Sequence, residues 1–231
     1  MQNNNQKQII SAIIVAAFII AGALLLKGSS PPVRSDDSLI IDNTTLPSIE
    51  DRTVGKDEHI VGSPHAEIII LEYSDTECPF CRVFHGTMHK IVENGNGKVA
   101  WVYRHYPIAS LHKKAFHEAE ATECAWDQGG DEAFWEYLDR IFEVTPSNDG
   151  LDVAELPKIA EYIGLDIKEF ENCLASGKFK AKVETDIETG TKDGVNGTPH
   201  SIILKNGKVV DTINGAEPYE SVVKKLNAAS K

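Results

Sequence analysis

The sequence predicts an α/β domain. Three observations carry this: a strand, a helix and a strand in succession over residues 68–106, a helix-rich stretch from about Leu111 to Gly190, and two apolar strands joined by Asn206-Gly207. The first strand is Ile68-Ile69-Ile70-Leu71-Glu72-Tyr73, a β-branched apolar run of the kind that fills a buried central position. Phe80, Val83, Phe84, Met88, Ile91 and Val92 then recur at helical spacing, and Asn94-Gly95-Asn96-Gly97 ends the pattern. Lys98 to Tyr106 alternates as a second strand, so the unit is βαβ, with a right-handed crossover and a parallel pair. The stretch to Gly190, rich in Ala, Glu, Lys and Leu, reads as four helices with breaks at Gln128-Gly129-Gly130, Pro146 to Gly150, Gly164 and Gly177. Ser201 to Lys205 and Lys208 to Ile213 flank Asn-Gly, the dipeptide preferred in a two-residue type I′ hairpin. A last helix runs from Pro218 to about Ala229.

With 231 residues, 42% of them hydrophobic, the chain has room for one well-buried domain plus appendages. A net charge of −12 without any cluster of Lys and Arg argues against nucleic acid as a partner, because such binding draws on neutralising phosphates. Ile9 to Leu26 is an uninterrupted run of apolar or small residues between Lys7 and Lys27. At 1.5 Å per residue it reaches about 27 Å, enough for one spanning helix. Ala21-Gly22-Ala23 also fits a signal-peptide cleavage site. Continuation through Leu24-Leu25-Leu26 to a lysine favours an uncleaved signal anchor, with residues 1–8 cytoplasmic and Lys7 compatible with positive-inside orientation. Either reading places the rest outside the cytoplasm, the anchor reading as a single-pass protein of the cell membrane. Residues 27–58, polar and carrying Ser29-Ser30-Pro31-Pro32, read as a flexible tether, leaving 59–231 as the folded domain.

That placement governs the four cysteines, since disulfides persist in oxidising compartments. One close pair, Cys78 and Cys81, and one distant pair, Cys124 and Cys173, suggest two disulfides of different kinds. Cys78-Pro79-Phe80-Cys81 falls at the junction of the first strand and its helix. A helix N-terminus stabilises a thiolate through unpaired N–H groups and the macrodipole, which makes Cys78 the candidate nucleophile. Cys81, on the same side of the first turn, is the resolving thiol. Pro79 suits an early helical position. Other readings of a CxxC compete with this one. A zinc site needs four ligands, and there is no second CxxC, although His85 and His89 lie on the following helix. A c-type haem site needs histidine where Arg82 stands. A structural disulfide is less suited to a site behind a buried strand.

Glu72-Tyr73-Ser74-Asp75-Thr76-Glu77-Cys78-Pro79-Phe80-Cys81, with Gly197-Thr198-Pro199 before the hairpin, resembles the DsbA-like branch of the thioredoxin superfamily. The likeness extends to Tyr103-Arg104-His105-Tyr106-Pro107, Ala121 to Ala125, Phe134 to Tyr137 and Phe170 to Leu174, including a helical insertion at about 111–190. It implies a thioredoxin-like fold, a central mixed sheet flanked by helices. It further implies a cis Pro199 facing the CxxC, with Thr198 pairing its backbone with an extended substrate segment, and Pro79 and Phe80 in the same substrate-binding set. The resemblance places an acid beneath the active site at Glu72, where burial would raise its pKa and let it exchange a proton with Cys81. Glu77, beside the nucleophile, reads as exposed and modestly opposed to thiolate formation. Cys124 and Cys173 lie in separate helical segments without a partner at redox spacing, which favours a structural disulfide over free buried thiols. His105 and His112 read as packing or surface residues, and Trp126, Trp135 and Tyr137 as core. The implied activity is disulfide exchange with exported protein substrates, without cofactor or metal, recycled by a membrane redox partner. A reductase or isomerase of the same fold is the alternative within that class, and a metal- or peptide-binding module the alternative outside it.

Overall fold

A computed structural model describes residues 54, 55 and 58–231 of the chain. The expected membrane segment Ile9–Leu26 and most of the tether lie outside the described residues. Among the described residues no helix is long and apolar enough to cross a membrane.

Five strands form one mixed sheet in the order β1-β3-β2-β4-β5: β1 His59–Val61, β2 Ile68–Ser74, β3 Val99–His105, β4 His200–Lys205 and β5 Lys208–Asn214. β2 and β3 are the parallel pair, joined through α1 (Pro79–Asn94), and the other pairings are antiparallel. The β4–β5 turn has Asn206 at φ 51° and Gly207 at φ 79°, the paired left-handed residues of a type I′ hairpin. β1 is a three-residue edge strand, too short to leave a periodic signal in sequence.

Strand alternation sorts the side chains onto two faces. Ile68, Ile70, Trp101, Tyr103, Ile203 and Ile213 face a cluster shared with α1 and with α6 (Tyr219–Ala229). Leu71, Tyr73, Val102, Ile202 and Leu204 form the opposite cluster. On α1 the buried stripe is Cys81, Phe84, Met88 and Ile91, spaced by three and four residues. Phe80 and Val83, grouped with that stripe in the sequence reading, are instead 64% and 66% exposed. They sit one position off the stripe, on the solvent side.

Between β3 and β4 lie four helices: α2 Ala115–Val144, α3 Leu156–Tyr162 behind a short 3-10 turn, α4 Ile167–Ser176 and α5 Lys180–Lys192. The expected break at Gln128–Gly130 is a kink inside α2. Gly130 takes φ 65°, ψ −155°, a conformation open to glycine alone, and the helix resumes beyond it. Ala121, Cys124, Tyr137, Leu156, Ile159 and Phe170 close a separate core for this insertion. Cys124 on α2 and Cys173 on α4 form a disulfide across it. Tyr137 is fully buried and Trp135 nearly so, while Trp126 is only partly buried.

Gly190, taken in sequence as the end of the helical stretch, lies within α5 against the sheet. A β-carbon there would stand 2.7 Å from Tyr106 Cδ2 and 2.9 Å from Tyr73 Cδ1. Gly190→Val is therefore expected to destabilise the domain by about 1–3 kcal/mol through overpacking. The loss would register as a melting temperature lower by about 2–12 °C in calorimetry. An unchanged melting temperature would mean that α5 can lift from the sheet at no cost.

Candidate active site

Central strand β2 ends at Ser74, and the chain needs four residues to turn into α1. Cys78 is the N-cap, with extended φ −79°, ψ 120°, and Pro79 occupies the first helical turn, where no acidic side chain is present. Asp75 builds the turn. Its backbone carbonyl accepts from Cys78 N at 3.1 Å. Its Oδ1 accepts from Glu77 N at 2.9 Å, and its Oδ2 from Ile108 N at 2.8 Å, with His112 Nδ1 at 2.9 Å.

The two thiols differ. Cys78 is buried, 5% exposed, and its Sγ is 3.5 Å from the carbonyl oxygen of Thr198, with the Thr198–Pro199 bond cis. Its pKa is pushed down to about 6, first by the Cys81 thiol, against the cost of burial, with further donors from the Cys81 and Phe80 backbones and the Thr198 side chain. Thr198 Oγ1 is buried with no other partner among the described residues and is thus free to donate. Cys81 is fully buried, and burial, then the neighbouring Cys78, push its thiol well above the usual range. Asp75 N donates to its sulfur at 3.4 Å.

Glu72 lies beneath, on the same sheet face as Trp101 and Tyr103, level with Tyr103 on β3 and Ser201 on β4. It is 1% exposed, and neither carboxyl oxygen has a hydrogen-bond partner among the described residues. Burial raises its pKa to about 7, partly offset by the nearby Ser74 hydroxyl and Trp101 indole. Ser74 also adjoins Cys81, lowering its thiol slightly.

Glu77 departs from its expected place. It is fully buried, and its carboxylate accepts from Gly150 N at 3.2 Å and Leu151 N at 3.0 Å, while its carbonyl accepts from Asn148 N at 2.8 Å. Ser147, Asn148 and Asp149 all take positive φ, which turns successive N–H groups of this loop toward the carboxylate. Glu118 on α2 accepts from Thr76 Oγ1 at 2.7 Å. Burial and then Glu77 raise its carboxyl to about 8, so it is protonated at neutral pH. The turn before Cys78 is thus pinned to the insertion by buried carboxyl groups.

His112 and Asp75 are the site residues that sequence reasoning missed as functional. Burial pulls the His112 pKa down, but the Asp75 carboxylate more than offsets it and the net direction is up, with Cys78 contributing. A cationic imidazole near the thiolate stabilises it. His105 is a packing residue, buried with Nε2 3.1 Å from Glu123 Oε1.

Comparison with known proteins follows this geometry. A family model described as Thioredoxin matches residues 54–225. The chain is similar to DsbA2 of Pseudomonas aeruginosa, 29% identical with a TM-score of 0.63, over 74% of this chain and 94% of that one. It also has the fold of oxidised BdbD of Bacillus subtilis, at 23% identity and a TM-score of 0.65, over 78% of this chain and 97% of that one. Over 153 residues it is 31% identical to a protein named Na(+)/H(+) antiporter NhaA 1 in Mycolicibacterium gilvum, covering 65% of this chain. The chain spans about a quarter of that relative, whose name describes a far longer protein. With the family match running from β1 into the last helix, and a DsbA likeness over nearly all of a solved structure, the chain belongs to the thioredoxin family, in its DsbA-like branch of thiol-disulfide oxidoreductases.

Proposed function

We propose that this oxidoreductase works outside the cytoplasm on exported proteins through the Cys78/Cys81 pair, with disulfide formation as its working direction. The observation that carries the reading is the difference between the thiols: Cys78 held as a thiolate at neutral pH, Cys81 buried and held as a thiol. A substrate thiolate attacks Sγ of Cys78 in the Cys78–Cys81 disulfide. The S–S bond breaks, and its electron pair passes to Cys81, which cannot stay charged where it is buried. Glu72, near pH 7 at its own midpoint, supplies the proton. A second substrate thiolate then attacks the substrate sulfur of the mixed disulfide and expels Cys78 as a thiolate. Two electrons have moved from substrate to enzyme, and a membrane-bound partner, quinone-linked, takes them on.

Exposed Phe80 and Val83 beside the thiols offer an apolar surface to an unfolded client, and Thr198 and Pro199 border the same sulfur. The Cys124–Cys173 disulfide and the apolar run Ile9–Leu26 support a position on the outer side of the membrane, where disulfides persist. Lowering Cys78 to about 6 favours the reduced form at neutral pH and so moves the couple in the oxidising direction. The sign follows from a depressed pKa: the stabilisation is full above the unperturbed thiol range and is lost as pH falls through 6.

The test is the reduction potential of the pair against glutathione as a function of pH. Below pH 6 reduction takes up two protons, and above it one, so the slope should fall from about 59 to about 30 mV per pH unit near pH 6. A single slope of about 59 mV up to pH 8 would remove the basis for an oxidant.

A further inference from the structure

One turn beyond the active-site thiols, α1 carries His85 and His89, and α2 brings Asp139 against them. The three donor atoms converge. His85 Nε2 is 2.6 Å from Asp139 Oδ1, His89 Nε2 is 2.9 Å from the same oxygen, and the two Nε2 atoms are 3.2 Å apart. We propose that His85, His89 and Asp139 bind one divalent transition-metal ion of the zinc class, as a three-ligand site with its remaining position open to solvent.

The convergence of three donor atoms suits a shared ion. Ligands at about 2.0–2.1 Å from a tetrahedral zinc stand about 3.3 Å from one another; the nitrogens, 3.2 Å apart, already have that edge length, while the carboxylate oxygen, 2.6 and 2.9 Å from them, must draw back on binding. Without an ion, the two imidazoles share one carboxylate oxygen, and at 3.2 Å one Nε2 is also within hydrogen-bond reach of the other. A cation takes the lone pairs of both Nε2 atoms and a carboxylate oxygen together.

Histidines at i and i+4 on one helix face, plus one carboxylate, match the donor preference of Zn²⁺, Cu²⁺, Ni²⁺ or Co²⁺. Calcium and magnesium require oxygen donors. Access is open: the trio lines a surface depression with Arg82, Gly86, Phe142 and Glu143, and His89 and Asp139 side chains are 39% and 49% exposed. Glu143, on the same depression, is already paired with Arg140, and Arg82 is a like charge at the rim. His85 Nδ1 is buried without a partner among the described residues, so the support behind that ligand is incomplete and affinity should be moderate, on the order of 1 µM. The other grouping of this kind among the described residues, His59, His105 and Glu123, is enclosed and already has the Lys182 ammonium 3.7 Å from Glu123 Oε1, a cation in the place an ion would take.

The test is titration of the purified full chain with Co²⁺ and with Zn²⁺, in a Cys78→Ser, Cys81→Ser background so that the thiols supply no ligand. One ion per chain is expected, with visible Co²⁺ absorption and without the near-ultraviolet charge-transfer band of a thiolate ligand. His89→Ala, at a partly buried position, and Asp139→Asn, at an exposed one, should each weaken binding by at least about tenfold while leaving circular dichroism unchanged. Absence of binding in the parent, or binding that survives both substitutions in folded protein, would overturn the proposal.

Discussion

Cys78→Ser is expected to lose at least about 1,000-fold in the rate of dithiol oxidation, down to the uncatalysed background, because a hydroxyl can neither form nor relay a disulfide. Cys81→Ser is expected to behave differently. Its Cys78 thiolate, free of competition from the resolving thiol, should accumulate as a mixed disulfide with a model peptide carrying one activated sulfur, visible as added mass on non-reducing analysis. The contrast follows from placement: Cys78, at the N-cap beside Thr198, keeps 5% exposure, whereas Cys81 has none. Replacing Cys81 by alanine, which cannot donate as serine can, removes the first contributor to thiolate stabilisation, so the Cys78 midpoint in Cys81→Ala should rise above about 6. Thiolate absorbance near 240 nm, followed against pH, measures this. Equal residual turnover in both variants, or trapping through Cys81 in Cys78→Ser, would show that the roles are reversed or that the pair is not the reacting centre.

Much of this was legible in the residues, and the rest was hidden for identifiable reasons. The β2 run of Ile68 to Tyr73 announces a central strand because a strand covered on both faces must be apolar throughout. The CxxC is placed on α1 by the same pattern, and Asn206-Gly207 states its own turn. Glu77 could not be located this way. Its burial depends on a loop more than seventy residues away whose backbone N–H groups turn inward. No local pattern encodes that. His112 likewise became part of the site only when Asp75, 37 positions earlier, was brought to it by the turn. Phe80 and Val83 misled because helical spacing identifies a face without saying which face is covered; one residue of rotation moves a side chain from core to surface. Glu72, by contrast, was suspected through resemblance, and its burial with unpaired oxygens on the sheet face below Cys81 supplies the physical reason for a raised carboxyl.

Replacing Cys124 and Cys173 together with alanine is expected to cost about 4 kcal/mol of stability, from the unfolded-chain entropy that a link across a sequence separation of 49 removes. For a domain of this size that corresponds to a melting temperature lower by about 8–16 °C. The loss should fall on stability rather than on chemistry. Cys124 belongs to the insertion's own core, with Tyr137, Leu156 and Phe170, whereas Cys78 and Cys81 belong to the core between the sheet, α1 and α6. The two do meet through one connection: Glu77, next to the nucleophile, is held by Gly150 and Leu151 of the insertion, and Leu151 packs in the same core as Cys124. Loosening that core should therefore reach the active site only as far as it frees the 147–151 loop. Turnover measured well below the new melting temperature, with Cys78 and Cys81 poised identically in both proteins, should stay within about threefold of the parent. A folded double variant with no turnover would mean that the loop's grip on Glu77 is needed for the chemistry, and the insertion would then have to be counted as part of the redox centre.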